Sequence, residues 1–428
     1  MLLNLLYDFL KIVVLLILRI FYPYTTVINK DGLKFDHPTI VVSNHPNTLL
    51  DAVGVAARVK KRLFFLANAS LFAHPVANWL LNRLYCIPIM RKEDAEKKKV
   101  NNNESFQRSF DHLAGGGSMY IAPEGSSFME RRLRPIKSGT ARIALGAEAD
   151  NGWNIGVTIL PIGLTYSDPH KFGTRLVFNV GAAIPVGDYR EDFEKDPLKA
   201  TTSLTQLLQN RMQSLITNTI DDEEDELLRK LETIDLSESN NLEQVFANTQ
   251  NRITWLRALE KEACQEIKEK TKEYFELLDA KGTNDKAVWL QKNKNLVGQF
   301  GMRVILAILG LPFFLYGSLN HIFAVGIPAL VTKMARLYIG YDSTLKSLVG
   351  LFTVPLFYIL QYHWVKSWFD VSVAAVYLIT LPLAGLFAWK FASFLKLTWA
   401  VFHFTKLRKM EKLPLLKSRE TLKEMIQR

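Results

Sequence analysis

The chain has 428 residues, two of them cysteine, and a formal charge of +11. That length holds one or two domains around a sizeable core, and Cys86 and Cys264 stand too far apart to suggest a disulfide framework or a zinc site, which suits a reducing compartment. The charge implies an acidic partner: nucleic acid, an anionic membrane surface or a phosphorylated substrate. With neither a zinc finger nor aromatic-interleaved strands in the sequence, nucleic acid is set aside.

Residues 1–24, MLLNLLYDFLKIVVLLILRIFYPY, are apolar but interrupted by Asp8, Lys11 and Arg19. There is no basic leader and no small-residue cleavage site, so the expectation is an interfacial or membrane-anchoring helix and not a signal peptide. Residues 25–218 read as an α/β domain. The runs TIVVS, RLFFLA, YCIPIM, SMYIA, VTILPIGLTY and RLVFNVG have strand character, with helical stretches between several of them and turn signals such as Gly115-Gly116-Gly117. Alternation of this kind predicts a mostly parallel, mixed sheet flanked by helices. Residues 219–299 turn to charged, Leu-spaced helix with a packing or spacer role.

Residues 300–400 predict transmembrane helices. Val304 to Val331 is broken by Pro312, Gly317-Ser318-Leu319-Asn320 and Pro328, which predicts a re-entrant or tightly bent hairpin. Leu348 to Val365 and Val371 to Trp389 are each just long enough to cross, with His363, Trp364 and Trp368 near the gap between them as an aromatic belt. Lys333, Arg336 and Lys346, and the basic tail of residues 401–428, are expected on the cytoplasmic side together with the α/β domain, the tail drawn to anionic lipid heads.

Four stretches of the α/β region carry polar residues at strand ends: SNHPNTLLD (Ser43 to Asp51), CIPIMR (Cys86 to Arg91), IAPEGSSFMERRLRPIKSGTARIAL (Ile121 to Leu145) and ILPIGLTY (Ile159 to Tyr166). Each alone reads equally as strand, turn and helix cap. In this order, and in a chain tied to a membrane, they resemble the glycerolipid acyltransferase family, membrane-bound enzymes that acylate glycerol 3-phosphate or lysophosphatidic acid. The likeness covers about Val27 to Tyr189. It implies a catalytic pair in His45 and Asp51 and a phosphate-binding Arg91. It also implies an acceptor site at Glu124, Gly125 and Ser127, and a fourth block around Pro161 on the acyl-donor side. Two departures stand out. Five residues separate His45 from Asp51 where four are commoner, a spacing similar to that of the fungal-type glycerol-3-phosphate acyltransferases. The frequent Arg after Glu-Gly-Thr is also missing, and Lys137 or the Arg131, Arg132, Arg134 cluster is the substitute expected to supply its charge.

The chemistry agrees with such roles. An alcohol attacking a thioester must lose its proton, and a histidine with an ordinary pKa near 6.5 suits that task. A carboxylate on its other nitrogen fixes the tautomer and stabilises the imidazolium. Pro46 and Asn47 permit the sharp turn that brings Asp51 behind His45, and Asn47 is an alternative orienter of the ring. Arg91 offers a bidentate fork to phosphate, while Glu124, which repels phosphate, suits a glycerol hydroxyl or a basic side chain. The other histidines read as structural, with His112 the one further residue worth testing. Expected partners are an acyl donor, acyl-CoA or acyl-carrier protein, a glycerol-phosphate acceptor and membrane lipids, with no metal or bound cofactor. The alternatives are another lysophospholipid or an aminolipid as acceptor, or a non-catalytic membrane scaffold on the same fold.

Overall fold

The computed structural model describes residues 2–83, 85–90, 102–293 and 296–426. The chain divides into two compact units, Met1–Ile220 with Tyr338–Thr344, and Asp221–Leu337 with Leu345–Arg428.

The first unit is built on an eight-stranded sheet. Its strands are β1 (Tyr24–Ile28), β2 (Thr39–Ser43), β3 (Leu63–Asn68), β4 (Cys86–Ile89), β5 (Ser118–Ile121), β6 (Thr158–Tyr166), β7 (Arg175–Val180) and the two-residue β8 (Ile184–Pro185). The order is β1-β7-β6-β2-β5-β3-β4, with β8 beside the start of β6. From β6 through β2, β5 and β3 to β4 the strands run parallel, while β7 and β8 pair antiparallel to β6. The α/β expectation is met, with β1 and β8 added to the six expected strands.

Two layers of helices explain the unbroken apolar runs of the central strands, because a sheet covered on both faces buries β2 and β5 throughout and β6 and β7 over most of their length. Helices α4 (Asn103–Ala114), α5 (Gly139–Asp150) and α7 (Pro197–Leu215) enclose Ile40, Val42, Met119 and Ile159. Helices α1 (Leu2–Phe21) and α2 (Leu49–Arg58) enclose Val41, Tyr120, Leu160 and Ile162 on the other face. Short helices α3 (Pro75–Arg83) and α6 (Arg190–Lys195) complete the unit.

Two charges of α1 serve the domain. Asp8 takes a two-point contact from Arg62, and Lys11 donates to the Val59 carbonyl. The opposite side presents Leu2, Leu5, Phe9, Ile12, Leu16 and Ile20 at helical spacing, all exposed.

The second unit is helical: α8 (Asp222–Glu238), α9 (Leu242–Ala258), α10 (Lys261–Ala280), α11 (Asp285–Asn293), α12 (Leu296–Ala335), α13 (Asp342–Lys366, whose first three residues belong to the first unit), α14 (Val371–Lys406) and α15 (Lys409–Ile426). Leu228, Leu231, Ile267, Tyr274, Phe404, Leu415 and Leu422 share one core. Within it Arg419 is buried on Asp285 (2.8 Å) and Glu238 (2.9 Å), so this member of the basic tail is bound internally.

Among the described residues, three helices are long and apolar enough to cross a membrane, Gly298–Ala335, Ile339–Lys366 and Val371–Lys406. The bent hairpin expected over residues 304–331 is not formed: α12 is continuous through Pro312 and Pro328. A proline removes one hydrogen bond but does not force a break, since in apolar surroundings the remaining backbone groups have no better partner than their own helix. Gly317, which reads as a turn, lets α12 approach the backbone of α14 at Ala384. Lys333 and Arg336 precede α13, Lys346 lies in its first turns, and the basic tail follows α14, so two long apolar helices, α13 and α14, separate the two basic segments.

Candidate active site

The parallel strands β6, β2 and β5 end side by side, and the loops leaving them gather the polar residues. Ligand sites of open α/β sheets lie at this carboxyl edge. β2 ends at Ser43, whose hydroxyl meets the Tyr120 hydroxyl at 2.9 Å. Beyond it Asn44 replaces a backbone partner, donating to the Leu164 carbonyl (2.9 Å) and accepting the Leu164 N–H (2.8 Å). That clamp fixes where His45 leaves the sheet.

Pro46, Asn47 and Thr48 make the turn into α2. Pro46 lies in this turn, ahead of the helix, which begins at Leu49. Thr48 has φ 45° and ψ −128°, a conformation that β-branched residues rarely adopt and that costs on the order of 1–3 kcal/mol. Its N–H donates to the Ser127 hydroxyl at 3.2 Å.

The reversal brings Asp51, in the first turn of α2, behind His45. Nδ1 of His45 lies 3.2 Å from Oδ2 of Asp51, although in this ring orientation Nδ1 makes no hydrogen bond. Catalytic hydrogen bonds are often loose without substrate and tighten with it. The Asp51 side chain is fully buried and the imidazole is 19% exposed, so one nitrogen faces the acid while the ring still reaches the surface. Asp51 is fixed by two further donors, the Asn47 N–H on Oδ2 (2.6 Å) and the Tyr166 hydroxyl on Oδ1 (2.9 Å). Burial, then the neighbouring Asp51 charge, pushes the Tyr166 hydroxyl well above the usual tyrosine range, keeping it a donor. The Asn47 carboxamide is engaged elsewhere: Nδ2 donates to Tyr22 Oη (2.6 Å) and Oδ1 accepts from Ser343. Asn47 thus touches the acid through its backbone and does not orient the ring with its side chain.

The loop after β5 supplies the rest. Glu124 is buried, and its oxygens accept the N–H of His45 (2.9 Å) and of Arg134 (3.1 Å). Burial pushes its carboxyl up to about 7, against the lowering pull of those two bonds. Gly125 has φ +77°, and the exposed Lys137 side chain lies across it. Arg132 and Arg134 both pair with Glu130. Arg91 lies in the stretch 91–101, outside the described residues. Asn102 and Met90, which flank that stretch, are joined by reciprocal bonds of 2.9 Å. Pro161 is a buried residue of β6, level with Val42.

His112 is elsewhere. It bonds the Ser118 carbonyl at the start of β5, the opposite end of the sheet from His45, and packs on Phe64. Burial lowers its pKa.

Residues 25–165 match the protein-family model described as Acyltransferase. The likeness to the acyltransferase family lies in this segment. The chain is similar, at 38% identity over 125 residues, to Glycerol-3-phosphate O-acyltransferase 2 of Saccharomyces cerevisiae, a match of 29% of this chain and 17% of that protein. It is 39% identical over 88 residues to Glycerol-3-phosphate O-acyltransferase 1 of the same yeast, covering 21% of this chain and 12% of that one. It is also 26% identical over 147 residues to the chloroplastic 1-acyl-sn-glycerol-3-phosphate acyltransferase LPAT1 of Arabidopsis thaliana, covering 33% and 37% respectively. Among solved structures, the 1-acyl-sn-glycerophosphate acyltransferase PlsC of Thermotoga maritima aligns with 46% of this chain and 74% of its own, at 16% identity and a TM-score of 0.33. The match thus spans under a fifth of the length of either yeast relative. The expected resemblance to glycerolipid acyltransferases, with the fungal type among the similar proteins, is what these comparisons return.

Tyr22, Asn44 and Tyr166 were not expected at the site. Tyr166 closes the fourth block and Asn44 adjoins His45, so both stand beside legible signals. Tyr22 sits in an apolar run, and nothing local marks it.

Proposed function

We propose that the first unit catalyses O-acyl transfer, moving a fatty acyl chain from acyl-CoA or acyl-carrier protein to the hydroxyl of glycerol 3-phosphate or 1-acylglycerol 3-phosphate. The observation that carries this is the approach of His45 to a buried Asp51 at the carboxyl edge of the sheet, within the segment that matches the acyltransferase family. In the reaction, Nε2 of His45 takes the hydroxyl proton as the oxygen attacks the thioester carbonyl. The carbon–sulfur bond breaks, and the proton leaves with the thiol. Asp51 fixes the tautomer and stabilises the imidazolium, an acid–base contribution of about 10²–10⁴-fold. Arg91 and Lys137 are proposed to meet the acceptor phosphate, with Gly125 allowing close approach of the loop. The positions of Glu124 and Ser127 favour roles in fixing His45 and Thr48. No metal or bound cofactor enters this scheme. The apolar stripe of α1 and the three long apolar helices support a membrane-bound enzyme, from which a lipid product leaves sideways into the leaflet.

The test is a transfer assay on the purified full chain in detergent, with labelled glycerol 3-phosphate or lysophosphatidic acid and acyl-CoA. His45→Ala is expected to abolish transfer and Asp51→Asn to lower kcat steeply. Turnover undiminished in His45→Ala would refute the mechanism, and an unaltered acceptor KM in Arg91→Ala would remove the phosphate clamp.

A further inference from the structure

The segment Tyr338–Thr344 joins α12 to α13, yet it belongs to the first unit by its contacts. Tyr338 Oη accepts the N–H of Met129 at 2.8 Å. The other contacts fall on the turn after His45. Thr48 Oγ1 donates to the Gly340 carbonyl at 3.1 Å and lies 3.1 Å from Thr344 Oγ1. A hydroxyl has one proton, and that of Thr48 goes to a carbonyl, so Thr344 is the donor in the second contact. Ser343 donates to Oδ1 of Asn47.

The Asn47 amide is oriented by the same reasoning. Tyr22 donates its hydroxyl proton to the Pro169 carbonyl and therefore accepts from Asn47 Nδ2, which turns Oδ1 toward Ser343. Ser343 and Asn47 are fully buried, and Thr48 nearly so. A buried acceptor that loses its donor has no water to replace it. Thr48, in its strained conformation, keeps that shape only if its surroundings impose it. The Asn47 N–H is 2.6 Å from the same Asp51 oxygen that faces His45, so displacement of this turn displaces the acid relative to the ring.

We propose that Tyr338–Thr344, acting through the hydroxyls of Ser343 and Thr344, is a positioning element of the His45–Asp51 pair. The linker between two apolar helices thus completes a site by bonding Asn47 and Thr48, each 296 positions before its partner. This rests on the acyl-transfer reading of the site. It gives the linker that joins α12 to α13 a part in catalysis, since the hydroxyls it carries fix the geometry of the acid.

The test uses the full chain in detergent and the same transfer assay, comparing Ser343→Ala, Thr344→Val and Thr344→Ser with wild type and His45→Ala, with folded yield and Tm recorded for each. Ser343→Ala and Thr344→Val are expected to lose about tenfold or more in kcat, with both KM values within about twofold. Thr344→Ser, which restores the hydroxyl, is expected to recover most of what Thr344→Val loses. Thr344→Val is close to isosteric, so it remains informative if Ser343→Ala does not fold. Wild-type kcat in both hydroxyl-deleted variants, while His45→Ala is inactive, overturns the positioning role and leaves acyl transfer standing. An equal loss in Thr344→Ser and Thr344→Val assigns the effect to packing and also overturns it, as does a loss confined to KM. Activity in His45→Ala removes both readings.

Discussion

Glu124 holds His45 by its backbone: one carboxylate oxygen accepts the His45 N–H at 2.9 Å while the other accepts the Arg134 N–H at 3.1 Å. The acid that is hard to place beside a phosphate is thus a brace between two loops. It ties the end of β2 to the return of the loop after β5 and leaves the imidazole free to face Asp51.

Exchanging Glu124 for Gln tests the brace. Both oxygens of a carboxyl group can accept, the hydroxyl oxygen keeping its lone pairs when protonated, whereas an amide presents NH₂ to one of the two N–H groups, so Glu124→Gln should cost about 1–3 kcal/mol of stability and lower kcat. The pH dependence has a definite sign. Burial lifts the folded-state pKa from the ordinary 4.5 to about 7, so between those values the folded protein binds more protons than the unfolded chain. The stability that this group contributes is fully present below about pH 4.5 and is lost as pH rises through about 7. The Gln variant lacks this titration, so its deficit relative to wild type should narrow from pH 5 to pH 7.5. Denaturant or thermal unfolding at the two pH values measures it, and a deficit that widens would contradict the assignment.

Tyr166→Phe removes the hydroxyl that donates to Asp51 Oδ1 at 2.9 Å. Asp51 is completely buried, so the freed oxygen finds no water. The expected cost is about 1–3 kcal/mol in stability, with kcat lowered and KM nearly unchanged. Steady-state kinetics beside Tm checks it; a variant equal to wild type in both would show that the Asn47 N–H alone suffices to hold the acid.

Gly125 carries two separable constraints. Its φ of +77° disfavours any side chain by about 1–2 kcal/mol, and an added Cβ would lie 2.9 Å from Lys137 Nζ and 3.0 Å from Cε. The crowding comes from the end of a flexible side chain and the backbone strain does not. Gly125→Ala should therefore lower Tm, and adding Lys137→Ala should recover only part of the loss. Full recovery in the double variant would mean that φ contributes nothing.

The sequence made some of this legible and hid the rest for physical reasons. His45 and Asp51 stand six positions apart across a strand end, a turn and a first helical turn, so local signals place them together. The central strands were readable because burial on both faces leaves continuous apolar runs, and β3 and β4, only partly buried, carry apolar runs of their own. Glu124 was misleading because its partners are backbone groups, one of them 79 positions away, and backbone leaves no mark on sequence. Ser343 was invisible for a similar reason: a serine at the head of an apolar helix looks like a cap, and its partner is 296 positions earlier. The prolines of α12 misled because their penalty is judged against a helix in water, where a break exposes backbone to solvent that can satisfy it.

Two glycines of α12 should respond to the same substitution with opposite signs. A Cβ at Gly317 would lie 2.2 Å from the Ala384 carbonyl oxygen and 2.9 Å from its carbon, so no rotamer change relieves it and α14 must move away. Close helix approach through a small residue is a means of association where both surfaces are apolar. Adjacent polar pairs depend on that distance, Tyr316 with Thr380 at 2.7 Å and Tyr377 with Asn320. Gly317→Ala should destabilise the second unit by about 1–3 kcal/mol. Gly326 has nothing within 4 Å of its added Cβ, so there the same change brings only the helix preference of alanine, up to about 1 kcal/mol of stabilisation. Thermal unfolding in one detergent compares the two, and because composition, helix and reagent are shared, a shift in the same direction for both would show that contact with Ala384 does not set the spacing of α12 and α14.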